Sequence, residues 1–138
     1  MRFRVTLLFL PVCAAVLIFF LPSCSFSASS ANISDAKMAR DQEGKNPTKT
    51  FSPDEQFYCI AELSNAPDDT KVKAVWTAVK VDGAKPNTKI DVAKTKSGSG
   101  QLQFNLSNQD PWPTGDYKVD LYLNDAKKPT KTLTFEVK

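Results

Sequence analysis

The sequence contains no histidine. That removes the commonest general base and the commonest metal ligand, and with them every triad, dyad or zinc site built on imidazole. Glycine is scarce, five in 138 residues, and there is no Gly-rich phosphate loop, calcium-loop spacing or Gly-x-Ser-x-Gly elbow. No cofactor, metal or catalytic residue is therefore assigned. A block of basic charge is missing as well. The formal charge of +3 includes Arg2 and Arg4, which sit in a segment expected to be removed; the other 16 basic and 15 acidic residues leave about +1. Phosphate binding needs a concentrated basic patch, so nucleic acid is not expected as a partner. What the chain does have is 41% hydrophobic and 10% aromatic residues, enough for one domain with a real core and too little for two.

The first 23 residues form a separate unit. Met1-Arg2-Phe3-Arg4 is a basic start, and residues 5–21 are apolar apart from Thr6 and Pro11, the build of a secretory signal. Leu21-Pro22-Ser23-Cys24 resembles the bacterial lipobox, with Pro22 where a small or β-branched residue is usual. The resemblance implies a thioether-linked diacylglycerol on Cys24, which becomes the new N-terminus of a membrane-anchored lipoprotein. Two alternatives stay open. Ser29-Ser30-Ala31 offers small residues for a plain signal cleavage after Ala31, and a permanent membrane helix of residues 5–21, 17 residues with Pro11 inside, would be at the short limit for spanning roughly 30 Å of hydrocarbon. Each reading delivers the rest of the chain outside the cytoplasm.

Residues 25–47 turn to Ser, Ala, Asn, Asp and Lys, and residues 25–32 read as a flexible tether. Residues 33–40 fit a short helix or a first strand, and the strand is preferred. From residue 48 to 138 the period is two. Residues 56–63 alternate Phe57, Cys59, Ala61 and Leu63 with Tyr58, Ile60 and Glu62; residues 71–81 carry Trp76; residues 88–95 place Ile90 and Val92 inward. Leu102, Phe104 and Leu106 share one face, as do Tyr117, Val119, Leu121 and Leu123, and finally Leu133, Phe135 and Val137. Turns rich in Gly, Pro, Asn and Asp separate these runs, with Thr50 and Phe51 anchoring an irregular crossing.

Seven strands at about ten-residue spacing are the pattern of a β-sandwich. Three residues narrow it. Tyr117 follows the loop Asp110-Pro111-Trp112-Pro113-Thr114-Gly115 and resembles the corner tyrosine at the start of strand F in immunoglobulin domains, with Val119 in place of the second core cysteine. Cys59 and Trp76, 17 residues apart, resemble the cysteine and tryptophan of strands B and C. The resemblance implies an all-β, seven-stranded antiparallel sandwich of immunoglobulin or fibronectin III type, without a disulfide. If Cys13 is lost and Cys24 lipidated, Cys59 is the only thiol left, a small buried hydrophobe with no histidine to activate it.

Candidate contacts are few. Trp112, stiffened between two prolines, either plugs the end of the sandwich or presents its indole to a partner or a sugar ring. If Trp76 points inward, Val75 and Val79 point outward beside Tyr122 and give that sheet a mildly apolar outer face. The pairs Asp54-Glu55 and Asp68-Asp69 read as solvated turns, and the lysines as scattered protection of strand edges. The expected role is a non-catalytic, membrane-anchored adaptor that binds another envelope protein. The rivals are a glycan-binding module using Trp112, and a small proteinase inhibitor, which would need a protruding reactive loop for which residues 67–69 and 97–100 are poor candidates.

Overall fold

The computed structural model describes residues 30–138, and every element in that range is a strand. The signal segment, Cys24 and most of the tether lie outside the described residues. Eight strands form, where seven were expected: β1 (Asn32–Ala39), β2 (Thr50–Phe51), β3 (Phe57–Ser64), β4 (Thr70–Val81), β5 (Thr88–Ser97), β6 (Gly100–Leu106), β7 (Gly115–Leu123) and β8 (Lys131–Val137). They make two layers, a three-stranded sheet ordered β1-β3-β6 and a five-stranded sheet ordered β2-β8-β7-β4-β5.

The additional strand is β2. Thr50 and Phe51 pair with Glu136 and Val137, and the pairing is parallel, so the sandwich is not wholly antiparallel. Backbone N–H groups of Glu136 and Lys138 donate to the carbonyls of Lys49 and Phe51 at 2.8 and 3.1 Å. A two-residue strand carries no readable period, which is why the sequence shows only an anchor point there. The 33–40 stretch forms a strand, as preferred, with bounds Asn32–Ala39: β1 contributes buried Ile33, Met38 and Ala39, with a register shift between Ile33 and Asp35. The sandwich therefore takes in residues upstream of 48.

The core is the space between the sheets. Every inward position named on β7 is buried, as are Phe57, Cys59, Ala61 and Leu63 on β3 and Phe135 and Val137 on β8. Trp76 lies across the middle, fully buried, its Nε1–H without an acceptor among the described residues. At one end the core becomes aromatic. Phe57 is the hub, with ring centroids 4.8 Å from Phe51, 4.8 Å from Phe135 and 4.9 Å from Trp112.

One inward expectation fails. Ile90 packs against the core, but Val92 is 37% exposed and stands opposite Val75 on the outer face. The cause is a register shift in the β4–β5 ladder between Trp76 and Thr77, which inserts one residue into β5 and puts Ile90 and Val92 on opposite faces.

Strand directions fix the two ends. The chain enters at residues 30–32, beside the β3–β4, β5–β6 and β7–β8 connections. The far end gathers residues 40–49, 52–56, 82–87 and 107–114 and the C-terminus.

Candidate functional site

The loop before β7 is built as a corner. The Tyr117 hydroxyl donates to the Pro113 carbonyl at 2.6 Å, and the Trp112 N–H donates to the Pro53 carbonyl at 2.7 Å. Burial pushes the Tyr117 phenol above its ordinary pKa. Trp112 is only 8% exposed, its indole stacked on Phe57 with 27° between the planes. It sits as a plug, and one edge remains on a polar groove of about 290 Å³ with Gln56, Asn108, Gln109 and Asp110.

The other three candidates lie on the outer face of the five-stranded sheet. Val75 faces Val92 on one side and Asp120 on the other; Tyr122 faces Lys73 one row nearer the chain entry. Val75 and Tyr122 are thus diagonal neighbours. Val79 is apart from them: the β4–β7 register shifts between Ala78 and Lys80, and Val79 lines a separate groove with Asp116, Thr134 and Glu136. Asp120, though on the outer face, is 5% exposed, accepting from Thr132 Oγ1 at 2.5 Å and pairing with Lys118 Nζ at 3.0 Å.

The lysines do not scatter as their spacing suggested. Lys71 stands directly opposite Lys96, and Lys73 opposite Lys94, so two like-charge pairs occupy adjacent rows at the sheet edge. Directly opposed like charges destabilise a sheet. Two contacts offset this. Lys71 Nζ donates to Asp125 Oδ2 at 2.8 Å, and Lys73 Nζ lies 4.3 Å from the Tyr122 ring centroid. The hydrogen bond from Lys71 holds the Asp125 carboxyl below its ordinary 3.8, and Lys73 and Lys94 add to that; Lys71 in turn is raised by Asp125. Around Tyr122 these side chains line a groove of about 430 Å³. Lysine at i and i+2 in two consecutive antiparallel strands was the signal for this cluster.

The remaining candidates are structural. Glu55 accepts from Arg40 Nε at 2.8 Å and from the Ser52 N–H at 2.6 Å, which spends its carboxylate on loop closure. Residues 67–69 and 97–100, the poor candidates for an inhibitor's reactive loop, lie side by side, with the Ala66 N–H donating to Ser99 Oγ at 2.9 Å. Among the described residues no cluster of Cys, Asp and Glu has metal-site geometry. Cys59 is fully buried, and burial pushes its thiol from 9.0 up to about 12. Because the folded-state pKa is raised, the stabilisation from the neutral thiol is complete below about pH 9 and is lost as pH climbs towards 12. Cys59 in the native protein is expected to resist iodoacetamide at neutral pH and to react only at the rate of unfolding. Labelling at a free-thiol rate would overturn that assignment.

No family model matches the chain, and no curated protein is similar to it. Among solved structures, it resembles an immunoglobulin-like protein from Pseudomonas aeruginosa with a TM-score of 0.56 at 11% identity, over 80% of this chain and 99% of that one. Part of the Pseudomonas fluorescens alkylpurine DNA glycosylase AlkC (TM-score 0.49, 13% identity, 80% of this chain and 31% of that one) also matches. So does part of a Listeria innocua β-glucosidase, with a TM-score of 0.49 at 13% identity over 78% of this chain and 16% of that one. With its two stacked sheets, the corner at Tyr117 and a full-length match to that Pseudomonas aeruginosa protein, this chain has the immunoglobulin-like fold.

Proposed function

We propose that the chain is a non-catalytic binding module, held at a membrane through its N-terminus, whose outer sheet face engages another envelope protein. The observation that carries this reading is the outward Val75–Val92 pair, with Val75 half-buried and Val92 37% exposed, where β4 meets the edge strand β5. Tyr122 flanks it on one side and Lys118 and Thr132 on the other. An apolar pair bordered by polar, solvent-accessible residues is the arrangement of an interface core and its rim. Cys59, inert by burial, supports binding over catalysis. Attachment at Cys24 rests on the lipobox resemblance.

Cross-linking and affinity capture of the full-length chain from its native membranes tests the reading. One stoichiometric protein is expected with the wild type and with Trp112→Phe. Its yield should drop about tenfold or more with Val92→Glu, because a carboxylate buried without a partner costs more than 1.4 kcal/mol. Equal yields from all three would sink the outer-face interface. The polar groove at the edge of Trp112 supports a second reading, glycan binding. Envelope glycan fragments would then quench tryptophan fluorescence, and Trp112→Phe would remove the response.

A further inference from the structure

We infer that the end of the sandwich where the chain enters, together with the four-lysine groove beside it, docks on the anionic headgroups of a lipid bilayer. This rests on the reading of residues 1–24 as the membrane attachment. Three observations converge on it.

The first is placement. Asn32 pairs with Ser64, and Thr70 with Ser97, so the chain entry, the β3–β4 connection and the β5–β6 connection share one end. Seven residues separate Cys24 from Asn32, and they span at most about 25 Å however they run. An anchor at Cys24 therefore keeps this end, and not the far one, next to the bilayer.

The second is charge. Lys71, Lys73, Lys94, Lys96, Lys127, Lys128 and Lys131 lie at or beside the entry end, with Asp35, Glu62, Asp68, Asp69 and Asp125 as the carboxylates there. The far end sets Asp41, Glu43, Asp54, Glu55, Asp82 and Asp110 against Arg40, Lys45, Lys49, Lys85 and Lys138. The far end is thus close to balanced, and the positive excess is concentrated in the groove at the entry end, where four lysines face one carboxylate. Anionic leaflets attract lysines held within a Debye length of their surface.

The third is the pair of opposed like charges. Lys71 against Lys96 and Lys73 against Lys94 cost stability in the free protein, with Asp125 the one carboxylate lining their groove. Phosphate-bearing headgroups over that groove turn the repulsion into attraction. The valine pair lies one row farther from the entry, so a partner protein on it meets the domain just above the lipid surface.

The test uses the full-length chain in vesicles of phosphatidylcholine alone, or with phosphatidylglycerol as a minority component. Lysine acetylation rates are read by mass spectrometry. In the anionic vesicles Lys94 and Lys96 should be protected roughly fivefold or more, the factor expected of one lysine at a charged surface. Protection should vanish at high salt, with Lys45 and Lys138 unchanged throughout. The double variant Lys94→Glu/Lys96→Glu should also lose protection at Lys127 and Lys128. It places each glutamate opposite a lysine, so folding is not endangered.

Flotation separates this inference from the attachment reading. A chain that floats with both vesicles and is labelled alike in both keeps its anchor and overturns the docking. A chain that floats with neither overturns both, and one that floats only with anionic vesicles loses the anchor and keeps the docking. Equal protection by free glycerophosphate at matched phosphate concentration would make the groove a soluble-anion site and overturn the bilayer as its occupant.

Discussion

Phe57→Ala is expected to destabilise the domain by about 3–5 kcal/mol, a large part of the 5–15 kcal/mol typical of a whole domain. The ring is fully buried and is the hub at which both sheets and the corner loop meet. It touches Phe51 of β2, Phe135 of β8, Tyr117 of β7 and the Trp112 plug, with centroids 4.8 to 5.8 Å away. Removing it leaves a cavity that four aromatic neighbours cannot all collapse into, and takes away the surface on which Trp112 stacks. Two readouts follow: a lowered midpoint in urea, and a red shift of tryptophan emission as the Trp112 indole meets water. A loss under 1 kcal/mol with unchanged emission would show that Trp112 is held by its loop and not by Phe57.

Gly115→Ala should be nearly as damaging, for a different reason. Gly115 opens β7 at a φ of 139°, opposite Val81, where β4 has just passed its register shift. A Cβ there would come within 2.2 Å of the Lys80 carbonyl oxygen and 2.7 Å of the Val81 Cα, both backbone atoms that cannot rotate aside. Strain and clash together are expected to cost about 3 kcal/mol or more. Gly83→Ala is the matched control. It also has a positive φ, 78°, but nothing lies within 4 Å of the added carbon, so only the conformational term of about 1 kcal/mol remains. Equal denaturation midpoints for the two variants would mean that β4 shifts to admit the methyl group, and that the start of β7 is not pinned.

The parts of the fold that were legible in the sequence are those with local signatures. The alternation of Tyr117, Val119, Leu121 and Leu123 needs no partner strand to be read, and all four are buried. The corner hydrogen bond of Tyr117 was visible because the proline-rich loop and the tyrosine are neighbours in sequence. Non-local features stayed hidden. Val92 was placed inward because period two assumes a regular ladder, and the register shift opposite Trp76 is a property of the β4–β5 pair, not of either strand. The lysine cluster was missed for the same reason. Lys71 and Lys73 look like ordinary outward residues until pairing sets them against Lys96 and Lys94. Trp112 could not be resolved from its flanking prolines, since what decides its exposure is Phe57, 55 positions earlier in the chain.

The short parallel strand β2 has a mechanical consequence. Residue 30 lies at one end of the sandwich and residue 138 at the other, so tension applied between the two runs along the strands. Pulling β2 toward the entry while β8 is drawn the opposite way slides the two strands past each other. The Glu136–Lys49 and Lys138–Phe51 hydrogen bonds are then strained together instead of opening one after the other. The same geometry holds for β1 against β3, whose pairing runs from Asn32 to Ala39 along the direction of pull. Under such a pull the domain yields by shearing, and Phe51, locked between Phe57 and Phe135, is the bolt that shearing must withdraw.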